Sequence, residues 1–266
     1  MQDKPLRGSV LITGASGGIG EAFATLLAGE DHALCLVARN ESELNRVKGI
    51  IAARHGVPVT VLAIDLGTAE GCERLATELA DLGFVPDVVI NNAGFGLAGK
   101  AAELDAQEQL RMIDLNIRAL TDITLRFLPG MLTRRRGGII NVASVAAFMP
   151  GPGMAVYFAS KAYVLSFTDA LAEELRGTGV HATSLCPGPV ETGFQQRAGM
   201  RIGQHAGRVK PLSAAEVAAA GWTGFNKGER MMVPGLANKL AAYGGRSAPR
   251  RLILPFLRRM MSATKA

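Results

Sequence analysis

Short apolar runs rich in β-branched residues recur along this chain, each separated from the next by a stretch with helical spacing. The runs are SVLIT at 9–13, ALCLVA at 33–38, VTVLAI at 59–64, DVVIN at 87–91, GIINVA at 138–143 and HATSLC at 181–186. A shorter seventh candidate is MMV at 231–233, and helical patterns cover 18–29, 41–55, 68–82, 103–128, 154–177 and 213–227. Strands that are apolar on both sides must be buried on both faces, and the intervening helices supply the cover. The alternation predicts an α/β fold: a doubly wound parallel sheet of about seven strands with helices on both faces. One such domain accommodates residues 1–266.

Composition narrows the function classes. The chain is 48% hydrophobic and 20% charged, enough apolar residues for a sizeable core. Its net charge of +6 resembles that of a nucleic-acid binder, but residues 244–266 alone hold Arg246, Arg250, Arg251, Arg258, Arg259 and Lys265, with no acidic residue. The tail therefore carries the whole excess, the body is neutral, and no nucleic-acid partner is expected. No run reaches the roughly 18 apolar residues of a membrane helix, and MQDKPLRGSVLITG lacks the regions of a signal peptide, so a cytoplasmic location is expected. Cys35, Cys72 and Cys186 are scattered and read as buried thiols. The isolated His32, His55, His181 and His205 suggest no metal site.

Gly14, Gly18 and Gly20 in VLITGASGGIGEAF fall between the first strand and the first helix. Glycine there lets the backbone turn tightly and approach a pyrophosphate, whose charge the amide groups at the helix N-terminus stabilise. The second strand ends LVARNESEL, with Ala38 and Arg39 where an NAD-binding chain often has an acid for the adenosine ribose. Nothing there repels a 2′-phosphate and a guanidinium is available to bind it, so NADP(H) is the expected cofactor, with Ser16 adding a hydrogen bond. Asp65 ends the third strand, placed for the adenine edge, and Asn91, Asn92 and Gly94 end the fourth.

Taken together, TGASGGIG at 13–20, NNAG at 91–94, Asn116 in DLNIRAL, Ser144 in INVASVAA, YFASK at 157–161 and PGPVET at 187–192 resemble the short-chain dehydrogenase/reductase family. The likeness is to its shorter, one-domain Rossmann branch and covers about residues 8–195. It implies a catalytic set of Asn116, Ser144, Tyr157 and Lys161, and cofactor contacts at Gly14, Ser16, Gly18, Ile19, Gly20, Arg39, Asp65, Leu66, Asn92, Ala93, Gly94, Tyr157, Lys161, Pro187, Gly188, Val190 and Thr192. It also implies a lysine on the nicotinamide ribose, Thr192 at the carboxamide, transfer of the pro-S hydride, and a homodimer or homotetramer paired through helices 103–128 and 154–177.

The residue types suit those roles. A free tyrosine ionises at about 10, too high for an efficient base near neutrality, and a cation close by favours its phenolate. Lys161 lies one helical turn beyond Tyr157 and is expected to be that cation. Ser144, at a strand end, can donate to a substrate oxygen as charge develops on it. Asn116 is expected to interrupt helix 103–128 and, by the resemblance, to hold a water that relays protons to Lys161.

The substrate side is expected among Phe148, Met149, Met154, Phe194 and Met200, beneath a lid over 188–212 whose charges include Arg197 and Arg201. An adaptable apolar wall suits a hydrophobic ketone or a secondary alcohol. The expected activity is NADP(H)-dependent interconversion of a carbonyl compound and an alcohol by direct hydride transfer. An NADP-binding sensor on the same scaffold would not need all four catalytic side chains, and a nucleotide-sugar epimerase would want a larger C-terminal domain and G-x-x-G-x-x-G spacing. The basic amphipathic tail, 244–266, sets Leu252, Ile253, Phe256, Leu257 and Met260 against its arginines and is interrupted by Pro255. Docking of that apolar face on the body or on a second subunit is expected over contact with an anionic membrane.

Overall fold

In the computed structural model, which describes residues 6–199 and 211–262, the apolar runs pair side by side as parallel strands. They are β1 (Gly8–Thr13), β2 (His32–Ala38), β3 (Val59–Ala63), β4 (Val88–Asn91), β5 (Gly138–Val142), β6 (His181–Leu185) and the two-residue β7 (Met231–Met232). Their order is β3-β2-β1-β4-β5-β6-β7, so the winding reverses between β1 and β4. In an open α/β sheet the crevice at that reversal, beyond the carboxyl ends of the strands, is where ligands bind.

Alternate side chains of each strand enter different layers. Val10 and Ile12 of β1 pack with Phe23 and Leu27 of α1 (Gly18–Gly29) and with Val217 and Trp222 of α8 (Ala214–Asn226). Leu11 points the other way, among Leu75 and Leu79 of α3 (Ala69–Asp81), Ile123 of α5 (Leu120–Arg134) and Leu171 of α6 (Ala155–Glu174). This two-sided burial is why the strands read as continuous apolar runs. Cys35, Cys72 and Cys186 are free and buried.

Asparagine, threonine, aspartate and serine cap α2 (Glu41–Ala52), α3, α4 (Ala106–Ile113) and α8 through Asn40, Thr68, Asp105 and Ser213. The 103–128 pattern becomes α4, a π-helical segment (Asp114–Ala119) and α5, which runs past Pro129 and ends where Arg135 turns left-handed at φ 55°. Asn116 therefore widens a continuous helix by one π turn and does not break it.

Two features depart from the sequence reading toward the C-terminus. A helix not foreseen there, α9 (Leu236–Ser247), precedes α10 (Arg250–Ser262), its sequence LANKLAAYGGRS carrying two glycines that weaken a helical reading. Pro255 lies inside α10 without ending it, on the exposed side where water can satisfy the carbonyl its ring leaves unpaired. Of the tail's apolar face, Leu257 is buried but Leu252 is 65% exposed. The side chains of Phe256 and Met260 lie outside the described residues. Among the described residues no helix is long and apolar enough to cross a membrane.

Candidate active site

The site forms where β1, β4, β5 and β6 end. Gly14 and Gly18 sit at φ 65° and 56°; a Cβ on Gly14 would come within 2.9 Å of the Ala93 Cα, and one on Gly18 within 3.1 Å of the Thr192 methyl. A Cβ on Gly20 would stand 2.3 Å from the Gly14 carbonyl oxygen, so the third glycine lets α1 start against the turn. α1 begins after Gly17 with no side-chain cap, unlike α2, α3, α4 and α8. Its first amides, flanked by half-buried Ser16 and Ile19, suit an acceptor from outside the chain, as a pyrophosphate would be.

Asn92 does more to shape this turn than to face a ligand. Its Nδ2 donates to the carbonyls of Thr13 and Gly14 at 3.0 Å each, while Thr13 Oγ1 accepts from the amides of Asn92 and Ala93 at 3.0 Å. Thr13, the first residue of TGASGGIG, carries no local sign of this role, since a threonine at a strand end is ordinary. Asn91 turns away from the ligand edge. The register Asn91↔Asn141 places its Nδ2 2.9 Å from Asn141 Oδ1 and 3.0 Å from Thr124 Oγ1, and Asn141 in turn donates to Thr168 at 2.9 Å. That buried network ties β4 and β5 to α5 and α6 behind the site.

At the outer edge of the cradle, an Arg39 guanidinium nitrogen lies 3.9 Å from Asp65 Oδ2, both side chains largely exposed. Asp65 Oδ1 accepts from the Gly67 amide at 2.9 Å, and Leu66 beside it is buried. Across the crevice, Pro187 accepts from the Val145 amide at 2.9 Å, Val190 is buried, and a Cβ on Gly188 would overlap Asn238 of α9.

Asn116, Ser144, Tyr157 and Lys161 converge here. Asn116 is buried; its Oδ1 accepts from the Phe95 amide at 3.1 Å, and its Nδ2 donates to the Phe95 carbonyl at 2.9 Å and to Ser160 Oγ at 3.1 Å. Ser160 passes that tie on, donating at 2.7 Å to the Tyr157 carbonyl. A Cβ on Gly94 would lie 2.9 Å from Asn116 Oδ1 and 3.6 Å from Lys161 Nζ, so only glycine leaves that space open. Lys161 donates to the Val142 carbonyl at 2.8 Å, and Ser144 Oγ accepts from the Ala146 amide at 3.1 Å.

The electrostatics run against the sequence reading. Desolvation pushes the Tyr157 phenol up to about 12, a hydrogen bond with Ser144 opposing it, and Lys161 is not among the groups that shift it. Burial lowers the Lys161 ammonium to about 8, partly offset by Cys186. The expected cation that lowers its neighbour is thus itself desolvated, and burial shifts both groups toward their neutral forms.

The apolar candidates divide. Met154 and Phe194, the latter on the short α7 (Phe194–Arg197), meet Tyr157 around Gly96. A Cβ on Gly96 would stand 2.8 Å from Phe194 Cζ and 3.2 Å from both Met154 Cε and Tyr157 Cδ2, and the Phe194 and Tyr157 ring centroids are 5.3 Å apart. Gly96 closes the pattern NNAGFG, where nothing local marks it as part of a pocket. Phe148 instead packs the core with Leu120 and Val164, and Met149 rests against Gly245 of α9. Arg197 is exposed. Met200, Arg201 and the middle of the 188–212 lid lie outside the described residues, while the lid's ends meet in a parallel bridge between Val190 and Leu212. Among the described residues no cluster of His, Cys, Asp and Glu could hold a metal ion.

The family model for short chain dehydrogenases matches residues 9–202. Sulfoacetaldehyde reductase 2 of Chromohalobacter salexigens is 37% identical over 187 residues, 70% of this chain and 73% of that protein. A short-chain dehydrogenase from Sphingobium yanoikuyae, solved in complex with NADPH, superposes with a TM-score of 0.81 at 30% identity, covering 93% of this chain and 95% of that one. A short chain dehydrogenase/reductase from Burkholderia phymatum, in complex with NAD, gives 0.79 at 27% identity over 89% and 92%.

Proposed function

This chain belongs to the short chain dehydrogenase family of oxidoreductases, and on that premise we propose that it is an NADP(H)-dependent reductase of a hydrophobic ketone or 3-oxoacyl compound, running reversibly as an alcohol dehydrogenase. The observation that carries the reading is the convergence of Ser144, Tyr157, Lys161 and Asn116 beside the glycine turn.

Bound NADPH supplies the hydride that reduces the carbonyl carbon. Tyr157 gives its phenolic proton to the carbonyl oxygen; desolvation keeps the phenol protonated and so a donor, but a weak one, and the step depends on stabilising the phenolate it leaves. Ser144 donates to the same oxygen as negative charge gathers on it. Lys161, neutralised readily because burial lowers it to about 8, exchanges protons with the emptied phenolate, and Asn116 holds the Phe95 backbone and Ser160 around them.

Arg39 beside Asp65, with no acid at the end of β2, supports NADP(H) over NAD(H). The two solved relatives carry one cofactor each, so the choice rests on Arg39. Phe194, Met154 and the space over Gly96 support an apolar carbonyl substrate, and the reductase name of the C. salexigens relative agrees with the reaction type. An open groove between α5 and α6, lined by Thr121, Leu125 and Tyr163, supports pairing of subunits through these helices.

The test is an NADPH-oxidation screen over ketones, aldehydes and 3-oxoacyl compounds, with Tyr157→Phe as control. Turnover that survives that substitution unchanged would overturn the mechanism. Tight NADPH binding without turnover on any of these carbonyls would favour a sensor.

A further inference from the structure

The helix α9 packs on the body with one side and shows its large apolar residues on the other. The packed side carries Asn238, Ala242 and Gly245: Ala242 is 1% exposed, a Cβ on Gly188 would overlap Asn238, and one on Gly245 would overlap Met149. Advancing about 100° per residue, Leu236, Leu240 and Tyr243 fall on the opposite side. They are 75%, 67% and 54% exposed. A helix on a globular body ordinarily hides such residues and turns its charges outward.

Along α9 and α10 the charge has one sign. Lys239 and Arg246 are exposed along one flank of that stripe, and α10 follows with exposed Arg250 and Arg251 beside Leu252, itself 65% exposed. From Leu236 to the last residue the chain has no aspartate or glutamate. A second copy seated face to face would set cations against cations, so self-pairing does not suit this surface. Outward leucine and tyrosine bordered by lysine and arginine is the composition of a helix that lies in a bilayer interface.

We propose that α9 and the start of α10 form a docking surface for an anionic lipid bilayer. Leu236, Leu240, Tyr243 and Leu252 enter the boundary between headgroups and acyl chains, while Lys239, Arg246, Arg250 and Arg251 meet lipid phosphates and carboxylates. Because the inner side of α9 packs against the turn after Ser144, docking brings the membrane to the same end of the sheet as the candidate site. The docking surface itself is independent of which carbonyl is reduced.

The test is cosedimentation of the full chain with phosphatidylcholine vesicles, with and without phosphatidylserine. Binding is expected only to the anionic vesicles, weakened by high salt, and to fall at least about tenfold in a Leu236→Ser, Leu240→Ser, Tyr243→Ser variant and in Lys239→Glu, Arg246→Glu. Thermal melting checks that these exposed substitutions leave the fold intact. A Tyr243→Trp chain, read against the emission of native Trp222, should shift to the blue on anionic vesicles even if the triple variant folds poorly. No binding to anionic vesicles, an unshifted emission, or a folded triple variant that binds like the parent would overturn the proposal. Displacement from vesicles by soluble polyglutamate, indifferent to the triple substitution, would point to an acidic protein partner and overturn it equally.

Discussion

Lys161 Nζ stands 6.0 Å from the centroid of the Tyr157 ring and donates to the Val142 carbonyl at 2.8 Å. The pair shares one enclosure, and the loss of hydration outweighs mutual influence in both. A Tyr157→Phe variant should therefore keep its fold and cofactor binding while losing the proton donor. We expect kcat to fall by about a hundredfold or more, measured by NADPH oxidation beside NADPH-fluorescence titration. A variant with unchanged kcat would remove Tyr157 from the chemistry.

Lys161 also predicts how stability depends on pH. Its ammonium sits at about 8 in the folded chain and at 10.5 when free, so between those values the unfolded chain binds more protons. Stability from this group therefore rises as pH rises from 8 to 10.5. The Tyr157 phenol, raised from 10 to about 12, works the other way and lowers stability as pH climbs above 10. Denaturant midpoints of the parent and Lys161→Met across pH 8 to 10 should diverge, the parent gaining on the variant; parallel curves would contradict this.

Arg39→Asp should reverse cofactor preference. The new carboxylate would face Asp65, now 3.9 Å from the guanidinium, and both would repel a 2′-phosphate. Losing a charged contact is worth about ten- to a hundredfold in the NADPH-to-NADH ratio of kcat/KM. A ratio that stays put would detach Arg39 from the cofactor.

Gly96→Ala should narrow the space between Met154, Phe194 and Tyr157, because its Cβ would stand 2.8 Å from the Phe194 ring. The kcat/KM for bulky ketones is expected to drop by about tenfold, and that for small aldehydes much less. Phe194→Ala in the same background should restore the bulky substrates. Equal losses for both classes would show that Gly96 does not shape specificity.

Asn141→Ala should cost stability without touching the site directly. It strips partners from Asn91 and Thr168 inside the core, a loss of about 2 kcal/mol. A calorimetric melt within error of the parent would show that water or repacking satisfies those groups.

Much of the fold, and which residues gather at the candidate site, was legible in the sequence. Strand alternation fixed by two-sided burial located all seven strands, and the glycine turn, Ser144 and the Tyr157–Lys161 spacing marked the site, because local geometry demands those residue types at those intervals. What tertiary structure decided was where the side chains point and what surrounds them. Asn91 and Asn92 are neighbours in sequence, yet strand alternation sends one into the Asn141 network and the other onto the Gly14 turn. Phe148 and Phe194 read alike as apolar pocket residues, but one closes the core and the other covers Tyr157. The direction of the Tyr157 and Lys161 shifts depends on how much water the fold removes, and the outward stripe of α9 depends on which side the body claims. Both are properties of contacts made far apart in the chain, and no local spacing encodes them.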